Sequence, residues 1–402
     1  MKNQIINCKK DFPIFNNNNI TYLDTASTSQ KPQAVIDSIL DYYQNYNSNV
    51  HRALYPWAER ATSVYESVRE KIANHINAKK ESIIFTKGTT ESINFISQSW
   101  GCENITNKNN IVITQMEHHS NIIPWQILSQ KSGAELRYIP ISDSGELILD
   151  NINDIIDDNT KIVSVIHQSN VFGTINPIDV IIKFAQKKGS LVLVDAAQSI
   201  AHQDIDVKKY NCDFLVFSGH KALGPTGIGT LYIKENLLQN IEPYQTGGQM
   251  INNVDAFTST WNDVPFRFEA GTQNIAGVVG LGTAIDYLNN IGIKKIKHHN
   301  DLLTEYCLNQ LRDIQDIIIY GHANKSGPVI SFNIKDIHPY DLASLLAQQD
   351  IYIRSGHHCA QQIMKRLNIS SSNRISLYIY NNFEDIDKLV SSIRKSKKIL
   401  SS

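Results

Sequence analysis

Residues 191–198 read L-V-L-V-D-A-A-Q, and a second apolar run, D-F-L-V-F-S-G-H-K, occupies residues 213–221. Both runs are continuous, without polar alternation, which is typical of strands buried on both faces of a parallel sheet. Where each strand should end, a residue capable of chemistry follows: Asp195 after the first and Lys221 after the second. Because ligands bind at the carboxyl edge of such sheets, we expect these two side chains to share a site.

Similar apolar runs lie on either side, separated by segments compatible with helices. These runs span residues 111–114, 136–141, 161–167 and 229–233. The alternation predicts an α/β fold with a large, doubly wound, mostly parallel sheet. Beyond residue 285 the pattern changes to longer helices, with strand-like pieces at 328–334 and 374–380. We therefore predict a large α/β domain at 21–285 and a smaller α+β domain at 286–402, with residues 1–20 packed beside the second.

Composition restricts the classes of function. A net charge of -1 over 402 residues argues against binding to nucleic acid or to a membrane surface through bulk charge. The sequence contains neither a secretory signal nor an apolar stretch long enough to span a bilayer. Its five cysteines form no C-x-x-C pair, which predicts reduced thiols in a cytoplasmic protein.

The residues at the sheet edge suit one cofactor when they are taken together. A buried Asp195 needs a partner such as a protonated ring nitrogen, and a desolvated Lys221 can form a Schiff base with an aldehyde. Thr89 and Thr90 open a predicted helix, whose free N–H groups favour a phosphate. Ser218 and His220 add small polar groups there. Taken singly, Asp195 could equally cap a helix and Lys221 could cover a helix end, but the set meets the requirements of pyridoxal 5′-phosphate.

Several motifs make the sequence resemble a known family. They are M-E-H-H-S-N-I-I-P-W (116–125), S-N-V-F-G-T (169–174), R-F-E-A-G-T (267–272) and R-S-G-H-H-C-A (354–360). With the two runs above, they resemble the cysteine desulfurases of the class V aminotransferase family, specifically the group II, SufS-type branch. The resemblance extends from residue 22 to the last helix and implies the pyridoxal-phosphate-dependent fold type I.

The resemblance also implies roles at the cofactor. Lys221 would bind the cofactor covalently, Asp195 would pair with its ring nitrogen, and Gln198 would bond its phenolic oxygen. His118 would stack on the ring. The phosphate would be bound by Thr89, Thr90, Ser218 and His220, and by Thr272 of the partner subunit in a homodimer.

For the substrate, the resemblance implies L-cysteine, which is converted to L-alanine while its sulfur passes to Cys359 as a persulfide. Arg374 would bind the substrate carboxylate with help from Asn170, and Arg354 and His51 are further predicted substrate-binding residues. A SufE- or SufU-like protein would accept the sulfur for the Suf iron–sulfur scaffold system. Selenocysteine lyase activity, transamination, a kynureninase-like cleavage and a catalytically idle scaffold remain alternatives.

Cys359 itself follows two histidines, a pattern that invites other interpretations. Adjacent loop residues seldom chelate one ion, and no second Cys/His cluster of zinc spacing occurs, so no metal site is predicted. Burial as an inert thiol is the alternative that we accept for Cys212 and Cys307. For Cys359, the flanking histidines and Arg354 favour a thiolate nucleophile.

Two short stretches depart from the family pattern. The segment H-R-A-L-Y-P-W-A (51–58) has Ala53 where the family has glycine and Tyr55 where it has histidine. We expect this difference to affect acceptor docking, loop dynamics or turnover. The segment Y-L-D-T-A-S (22–27) has Ser27 where alanine is common, a change that we expect to be minor.

Overall fold

The computed structural model describes residues 5–16, 18–321, 323 and 325–401. In chain order its strands are β1 (Thr21–Tyr22), β2 (Ile83–Thr86), β3 (Asn110–Thr114), β4 (Glu135–Ile139), β5 (Thr160–Ile166), β6 (Leu191–Asp195), β7 (Phe214–Ser218), β8 (Gly229–Ile233), β9 (Ile251–Val254), β10 (Ser259–Trp261), β11 (Ile317–Tyr320), β12 (Val329–Ile334), β13 (Ile351–Tyr352), β14 (Arg354–Gly356) and β15 (Ser372–Ser376).

The α-helices are α1 (Pro13–Asn16), α2 (Gln33–Asn45), α3 (Pro56–His75), α4 (Thr89–Ile96), α5 (Cys102–Asn104), α6 (Ile123–Ser132), α7 (Ile152–Ile155), α8 (Ile178–Lys187), α9 (Val207–Tyr210), α10 (Ile275–Ile291), α11 (Ile293–Arg312), α12 (Pro339–Ala347), α13 (Gln361–Arg366) and α14 (Phe383–Leu400). A π-helical turn, Ser97–Gly101, joins α4 to α5.

The largest sheet has seven strands in the order β2-β8-β7-β6-β5-β3-β4. Strand β8 is antiparallel to both of its neighbours, so the other six strands share one direction. The predicted mostly parallel sheet is therefore confirmed. Strands β6 and β7 are adjacent, which brings their carboxyl ends, and with them Asp195 and Ser218, to one edge.

Helices cover both faces of this sheet, as the continuous apolar runs predict. In β6, Val192 and Val194 join the apolar cluster on one face, while Leu193 joins the cluster on the other. All three side chains are fully buried. Helices α3, α8 and α10 contribute to the first cluster, and α4 and α6 contribute to the second. The sheet is thus a rigid support whose free surface is confined to its ends.

A smaller antiparallel sheet has the order β11-β12-β15-β14. Helices α11, α12 and α14 pack against it through a third apolar cluster. The predicted boundary at residues 285 and 286 falls inside α10, and β1 pairs with β13 in parallel. The division into two domains at those residues stays a prediction.

The described part of the N-terminal segment contacts the C-terminal region. Lys9 forms an ion pair with Asp385 of α14 at 2.9 Å, and the Cys8 thiol donates a hydrogen bond to the carbonyl of Ile379. The Phe12 ring packs edge-on against Tyr380. Residues 1–4 and 17 of the predicted N-terminal segment lie outside the described residues.

Two glycines bring the start of α4 against the end of β7. A side-chain carbon at Gly229, in β8, would lie 2.5 Å from the Cα of Gly88 and 2.6 Å from the carbonyl oxygen of Phe217. Gly88 itself has a φ of 148°, which only glycine adopts readily. These two positions let the first turn of α4 reach the sheet edge where Ser218 lies.

A buried ion pair ties α3 to the segment that precedes α10. Arg69 Nη1 lies 2.7 Å from Glu269 Oε1, and both side chains are only 1% exposed. Glu269 also accepts hydrogen bonds from the Tyr65 hydroxyl and the Phe85 backbone N–H. Arg69 has a second carboxylate neighbour, Glu66, at 3.0 Å.

Replacing one partner of this pair should destabilise the protein. We expect Glu269→Ala to lower the free energy of unfolding by about 3 kcal/mol, since a buried guanidinium loses its main partner. The value should lie at the low end of the usual range because Glu66 still neutralises Arg69. Guanidinium unfolding midpoints measure the change. The matched control is Asp301→Ala, which breaks an exposed ion pair with Lys297 and should cost about 0.5 kcal/mol or less. Equal midpoints for the two variants would contradict the expectation.

Candidate active site

A cavity of about 250 Å³ opens at the carboxyl ends of β6 and β7. All of the predicted site residues except His51 and Thr272 line it: Thr89, Thr90, His118, Asn170, Asp195, Gln198, Ser218, His220, Lys221, Arg354, Cys359 and Arg374. The large sheet and the small sheet both contribute residues to the cavity. From the small sheet, Arg354 lies in β14, Cys359 lies in the loop after β14, and Arg374 lies in β15.

Asp195 is the last residue of β6 and is 2% exposed. Burial raises the pKa of its carboxyl, while a hydrogen bond from the Ala197 N–H at 2.9 Å and the nearby Lys221 charge lower it. Among the described residues, no side chain forms an ion pair with Asp195 within 4.0 Å. A carboxylate in such a place is stabilised by a cationic ligand group, such as a protonated ring nitrogen.

Lys221 ends the short 3₁₀ turn that follows β7. Desolvation of its ammonium lowers its pKa from 10.5 to about 8, against the opposing effect of the Asp195 charge. Much of the amine is therefore neutral in mildly alkaline solution. A neutral primary amine in a closed pocket is a nucleophile for aldehydes and a base for nearby C–H groups.

The other end of the cavity suits an anion. The Thr89 N–H, at the first turn of α4, donates to Ser218 Oγ at 2.9 Å, and Ser218 Oγ donates to Thr89 Oγ1 at 3.0 Å. The Thr90 hydroxyl lies 2.8 Å from that of Ser120. Hydroxyl donors at a helix N-terminus, with His220 beside them, form the kind of group that binds phosphate.

His118 and Gln198 line the cavity between these ends. His118 Nδ1 accepts a hydrogen bond from the Ser120 N–H at 3.1 Å. Burial, aided by the positive charge of Lys221, lowers the pKa of His118 to about 3, so its ring is neutral at ordinary pH. The proton then lies on Nε2. Gln198 Nε2 donates to the carbonyl of Ala26 at 2.8 Å, which fixes the orientation of its amide.

Two arginines from neighbouring strands meet at the cavity wall. Arg354 and Arg374 are directly opposed in the pairing of β14 with β15. Like charges in this arrangement repel, and Asp24 offsets the repulsion by accepting from Arg374 Nη2 at 3.0 Å. Ser27 Oγ accepts from both guanidiniums, at 2.7 Å from Arg374 Nη2 and 2.8 Å from Arg354 Nη1. Arg374 Nη1 donates to the carbonyl of Asn170 at 3.1 Å.

Serine in place of alanine at position 27 was expected to be a minor change, but the contacts of Ser27 show that it is not. Its hydroxyl lies between the two arginines and donates to Asp24 at 2.6 Å, a set of contacts that alanine cannot make. Arg374 keeps one unpartnered group, Nε, and Asn170 keeps one, Oδ1, both buried. Buried polar atoms that lack partners here fit a polar ligand in the cavity.

The loop that carries Cys359 is held by hydrogen bonds on both sides. Asn170 Nδ2 donates to the carbonyl of His358 at 2.7 Å, and the His119 N–H donates to the carbonyl of Cys359 at 2.8 Å. His358 Nε2 lies 3.0 Å from the carbonyl of Ser372. His358 and Cys359 both have a φ of 54°, which is uncommon for residues other than glycine. The surrounding bonds therefore impose this conformation and hold the partly exposed Cys359 at the cavity.

Two predicted site residues lie elsewhere in this chain. His51 Nε2 lies 3.0 Å from Glu66, and its Nδ1 lies 3.0 Å from Gln249 Nε2. Thr272 lines a second cavity of about 410 Å³ with Glu91 and Tyr244. Neither residue lines the cavity around Lys221. The expectation that Thr272 acts on the site of a partner subunit stays a prediction.

Several residues that line the cavity were not predicted from the sequence, among them Ser27, Ser120 and His358. Ser120 and His358 stand within quoted motifs, next to predicted residues, and that proximity was the available signal. Ser27 was noted only as a departure from the family pattern, because the two arginines that it contacts are more than 300 positions away.

Residues 21–389 match the family model described as aminotransferase class-V. The chain belongs to the class V aminotransferase family. A protein named probable cysteine desulfurase from Halalkalibacterium halodurans is 47% identical over 395 residues, covering 97% of each chain. A cysteine desulfurase from Haloferax volcanii is 43% identical, covering 94% of this chain and 90% of its own.

Solved structures of cysteine desulfurases have the same fold as this chain. The apo structure of cysteine desulfurase from Thermococcus onnurineus matches with a TM-score of 0.93 and 38% identity, covering 96% of each chain. The predicted fold type I and the predicted resemblance to cysteine desulfurases are thus confirmed. The narrower group II, SufS-type assignment stays a prediction. Within the described residues, no helix is both long and apolar enough to cross a membrane.

The lowered pKa of Lys221 predicts its reactivity in the cofactor-free protein. Below pH 8 the ammonium is protonated and cannot attack an aldehyde, and above pH 8 the amine is free. We expect Schiff-base formation, trapped with borohydride and measured by peptide mass spectrometry, to rise with a midpoint near the pKa of about 8. The exposed Lys80 serves as the internal reference. A profile for Lys221 that coincides with that of Lys80 would show that the pocket does not lower the pKa.

Proposed function

We propose that this chain is a pyridoxal-phosphate-dependent L-cysteine desulfurase, which forms L-alanine and a persulfide on Cys359. The observation that carries the proposal is that Cys359 and Lys221 line the same cavity. A reactive amine and an accessible thiol are thereby offered to one small molecule. Relatives named cysteine desulfurase or probable cysteine desulfurase, at 43–48% identity over nearly the whole chain, support the same activity.

The cavity fits the cofactor by the chemistry of its lining. Asp195 offers a buried carboxylate without an ion-pair partner among the described residues, and Lys221 offers an amine of lowered pKa. Thr89, Thr90, Ser218 and His220 would hold the phosphate, with Thr272 of the partner subunit. His118 and Gln198 would hold the ring. When bound, the cofactor withdraws electrons from the α-carbon of an amino acid and so weakens its bonds.

The substrate would be oriented by charge. Arg374 is 2% exposed and already holds Ser27 and Asp24, so its planar guanidinium is fixed in place for a carboxylate. Arg354 adds a second positive charge, and the unpartnered amide oxygen of Asn170 adds an acceptor. His51 lies outside this cavity, and its predicted contact with the substrate stays a prediction.

Lys221 and His118 supply the proton chemistry. With a pKa of about 8, the Lys221 amine can take a proton from the substrate α-carbon and return it at a neighbouring atom. His118 presents a neutral ring with its proton on Nε2, which suits a hydrogen-bond donor better than a base. Desolvation lowers the pKa of both groups, which leaves the His118 ring neutral at ordinary pH and much of the Lys221 amine neutral in mildly alkaline solution.

Sulfur transfer then follows from the position of Cys359. Its thiolate attacks the substrate sulfur, so a sulfur–sulfur bond forms while the bond from sulfur to the substrate β-carbon breaks. The electron pair of the broken bond stays with the carbon fragment, which takes up protons and leaves as L-alanine. The sulfur remains on Cys359 at the oxidation level of a persulfide.

The proposed partners are a second copy of this chain and a sulfur-acceptor protein of the SufE or SufU kind, which serves the Suf iron–sulfur scaffold. Exposed apolar side chains support protein–protein contact: Leu54 is 94% exposed, Trp57 is 59% exposed and Phe257 is 98% exposed. Leu54 and Trp57 lie in the segment that departs from the family pattern. All five cysteines are free thiols, which supports a reducing compartment such as the cytoplasm.

Incubation with L-cysteine should add one sulfur atom to Cys359, detected by mass spectrometry of the intact protein and of its peptides. Cys359→Ala should abolish the adduct and L-alanine formation but leave the cofactor spectrum unchanged. The matched control is Cys102→Ala, since Cys102 is an exposed thiol away from the cavity. An adduct on another cysteine would refute the mechanism. If the protein turns over L-selenocysteine but not L-cysteine, its activity is that of a selenocysteine lyase. If the Cys359→Ala variant remains active on another amino acid, the protein catalyses a different class V reaction.

Arg374→Lys should reduce kcat/KM for L-cysteine by about 10- to 100-fold, the effect expected when paired, charge-assisted hydrogen bonds become one. The rate of L-alanine formation measures it. Arg366→Lys is the control, because Arg366 is exposed and pairs only with Asp143 among the residues described. An unchanged kcat/KM in Arg374→Lys would remove this residue from the substrate site.

A further inference from the structure

Cys359 belongs to a cluster of metal-ligating side chains whose two histidines, His119 and His357, the proposed reaction does not use. The candidate ligand atoms of His119, His357 and Cys359 all lie within 4.8 Å of one another. The rings of His119 and His357 have their centroids 5.6 Å apart. Within the described part of the chain, this is the one group of three or more such residues that meets this distance.

The backbone brings the three residues together independently of any ligand. His119 lies in the turn after β3, about 240 positions before the other two. Its N–H donates to the carbonyl of Cys359 at 2.8 Å, and its Nε2 accepts from the Gln361 N–H at 3.1 Å. His357 Nδ1 accepts from the Cys359 N–H at 3.1 Å. The loop that carries Cys359 is thus bound to His119 on two sides. The spacing of these residues in the sequence could not reveal this contact.

The donor set selects a class of ion. One thiolate and two imidazoles suit Zn²⁺ and its softer relatives such as Cd²⁺, whereas Mg²⁺ and Ca²⁺ require oxygen ligands. Zinc bonds of about 2.3 Å to sulfur and 2.0–2.1 Å to nitrogen place tetrahedral ligands closer together than 4.8 Å. His357 is exposed and His119 and Cys359 are partly exposed, so packing leaves their side chains room to rotate toward that spacing.

We propose that His119, His357 and Cys359 bind one Zn²⁺ ion, which reversibly blocks the thiol. On binding, the Cys359 thiol loses a proton to solvent, the two imidazoles bind as neutral ligands, and water takes the fourth position. The bound sulfur is then a poorer nucleophile toward a substrate, because the metal withdraws electron density from it and holds it in the coordination shell. The site is therefore an inhibitory one, distinct from the chemistry of Lys221 and Asp195.

The same geometry limits the strength of binding. One nitrogen of each ring already accepts a backbone hydrogen bond, so coordination must compete with the bonds from Gln361 and Cys359. Only three protein ligands are available, and each is at least partly exposed. We therefore expect stronger chelators to remove the ion readily. Free L-cysteine is itself such a chelator.

Binding is tested on the purified holoenzyme with Zn²⁺ alone, in the absence of L-cysteine. Calorimetry should give one ion per chain, and X-ray absorption should show one sulfur at about 2.3 Å and nitrogen at 2.0–2.1 Å. His119→Asn and His357→Asn should each weaken binding more than about tenfold. His298→Asn, an exposed histidine elsewhere on α11, is the matched control. Binding that both ligand variants retain, or a metal shell without sulfur, would overturn the proposal.

Alkylation provides a second measurement that does not depend on catalysis. Zn²⁺ should slow iodoacetamide labelling of Cys359 more than tenfold, and a chelator should restore it. The exposed Cys102 in the same sample should label at an unchanged rate. Protection that persists in the double variant His119→Asn/His357→Asn would contradict the assignment. Because neither measurement uses L-cysteine, failure here leaves the proposed desulfurase activity standing, and failure of that activity leaves this site testable.

Discussion

The buried carboxylate of Asp195 is the constraint on which the rest of the site depends. A charge at the end of the central strand β6, without an ion-pair partner among the described residues, is unfavourable unless a ligand or a nearby cation balances it. Lys221, one strand away, supplies part of that balance and in turn has its own pKa lowered by the same desolvation. The apolar sheet thus creates two mutually dependent groups of unusual proton affinity at one edge.

The small sheet completes what the large sheet begins. Strands β14 and β15 place two guanidiniums opposite each other, and the loop after β14 places a thiol beside them. Asp24 and Ser27, from the first residues after β1, separate and neutralise these charges. A site assembled from such distant parts of the chain requires both sheets to be in place before any of its groups is correctly oriented.

The sequence permitted much of this to be predicted, for identifiable physical reasons. The strands that flank Asp195 and Lys221 were predicted because burial on both faces requires continuous apolar residues. Strand β2 (Ile83–Thr86) was not predicted, since four residues at the edge of the sheet give little pattern. The cavity lining was largely predictable because motifs keep its members close in the chain. Ser27 and His119 were not assigned roles, because the partners that matter to them come from residues beyond position 350.

The contact between Gly88 and Gly229 has a consequence for the ligand itself. Because backbone touches backbone there, main-chain geometry sets the separation between the start of α4 and the end of β7, next to the turn that carries Lys221. The backbone of the cavity therefore keeps a fixed distance between its phosphate end and its Lys221 end. Substitution around its rim can alter which amino acid enters, or which protein collects the product, while the span between aldehyde and phosphate that it accepts stays the same.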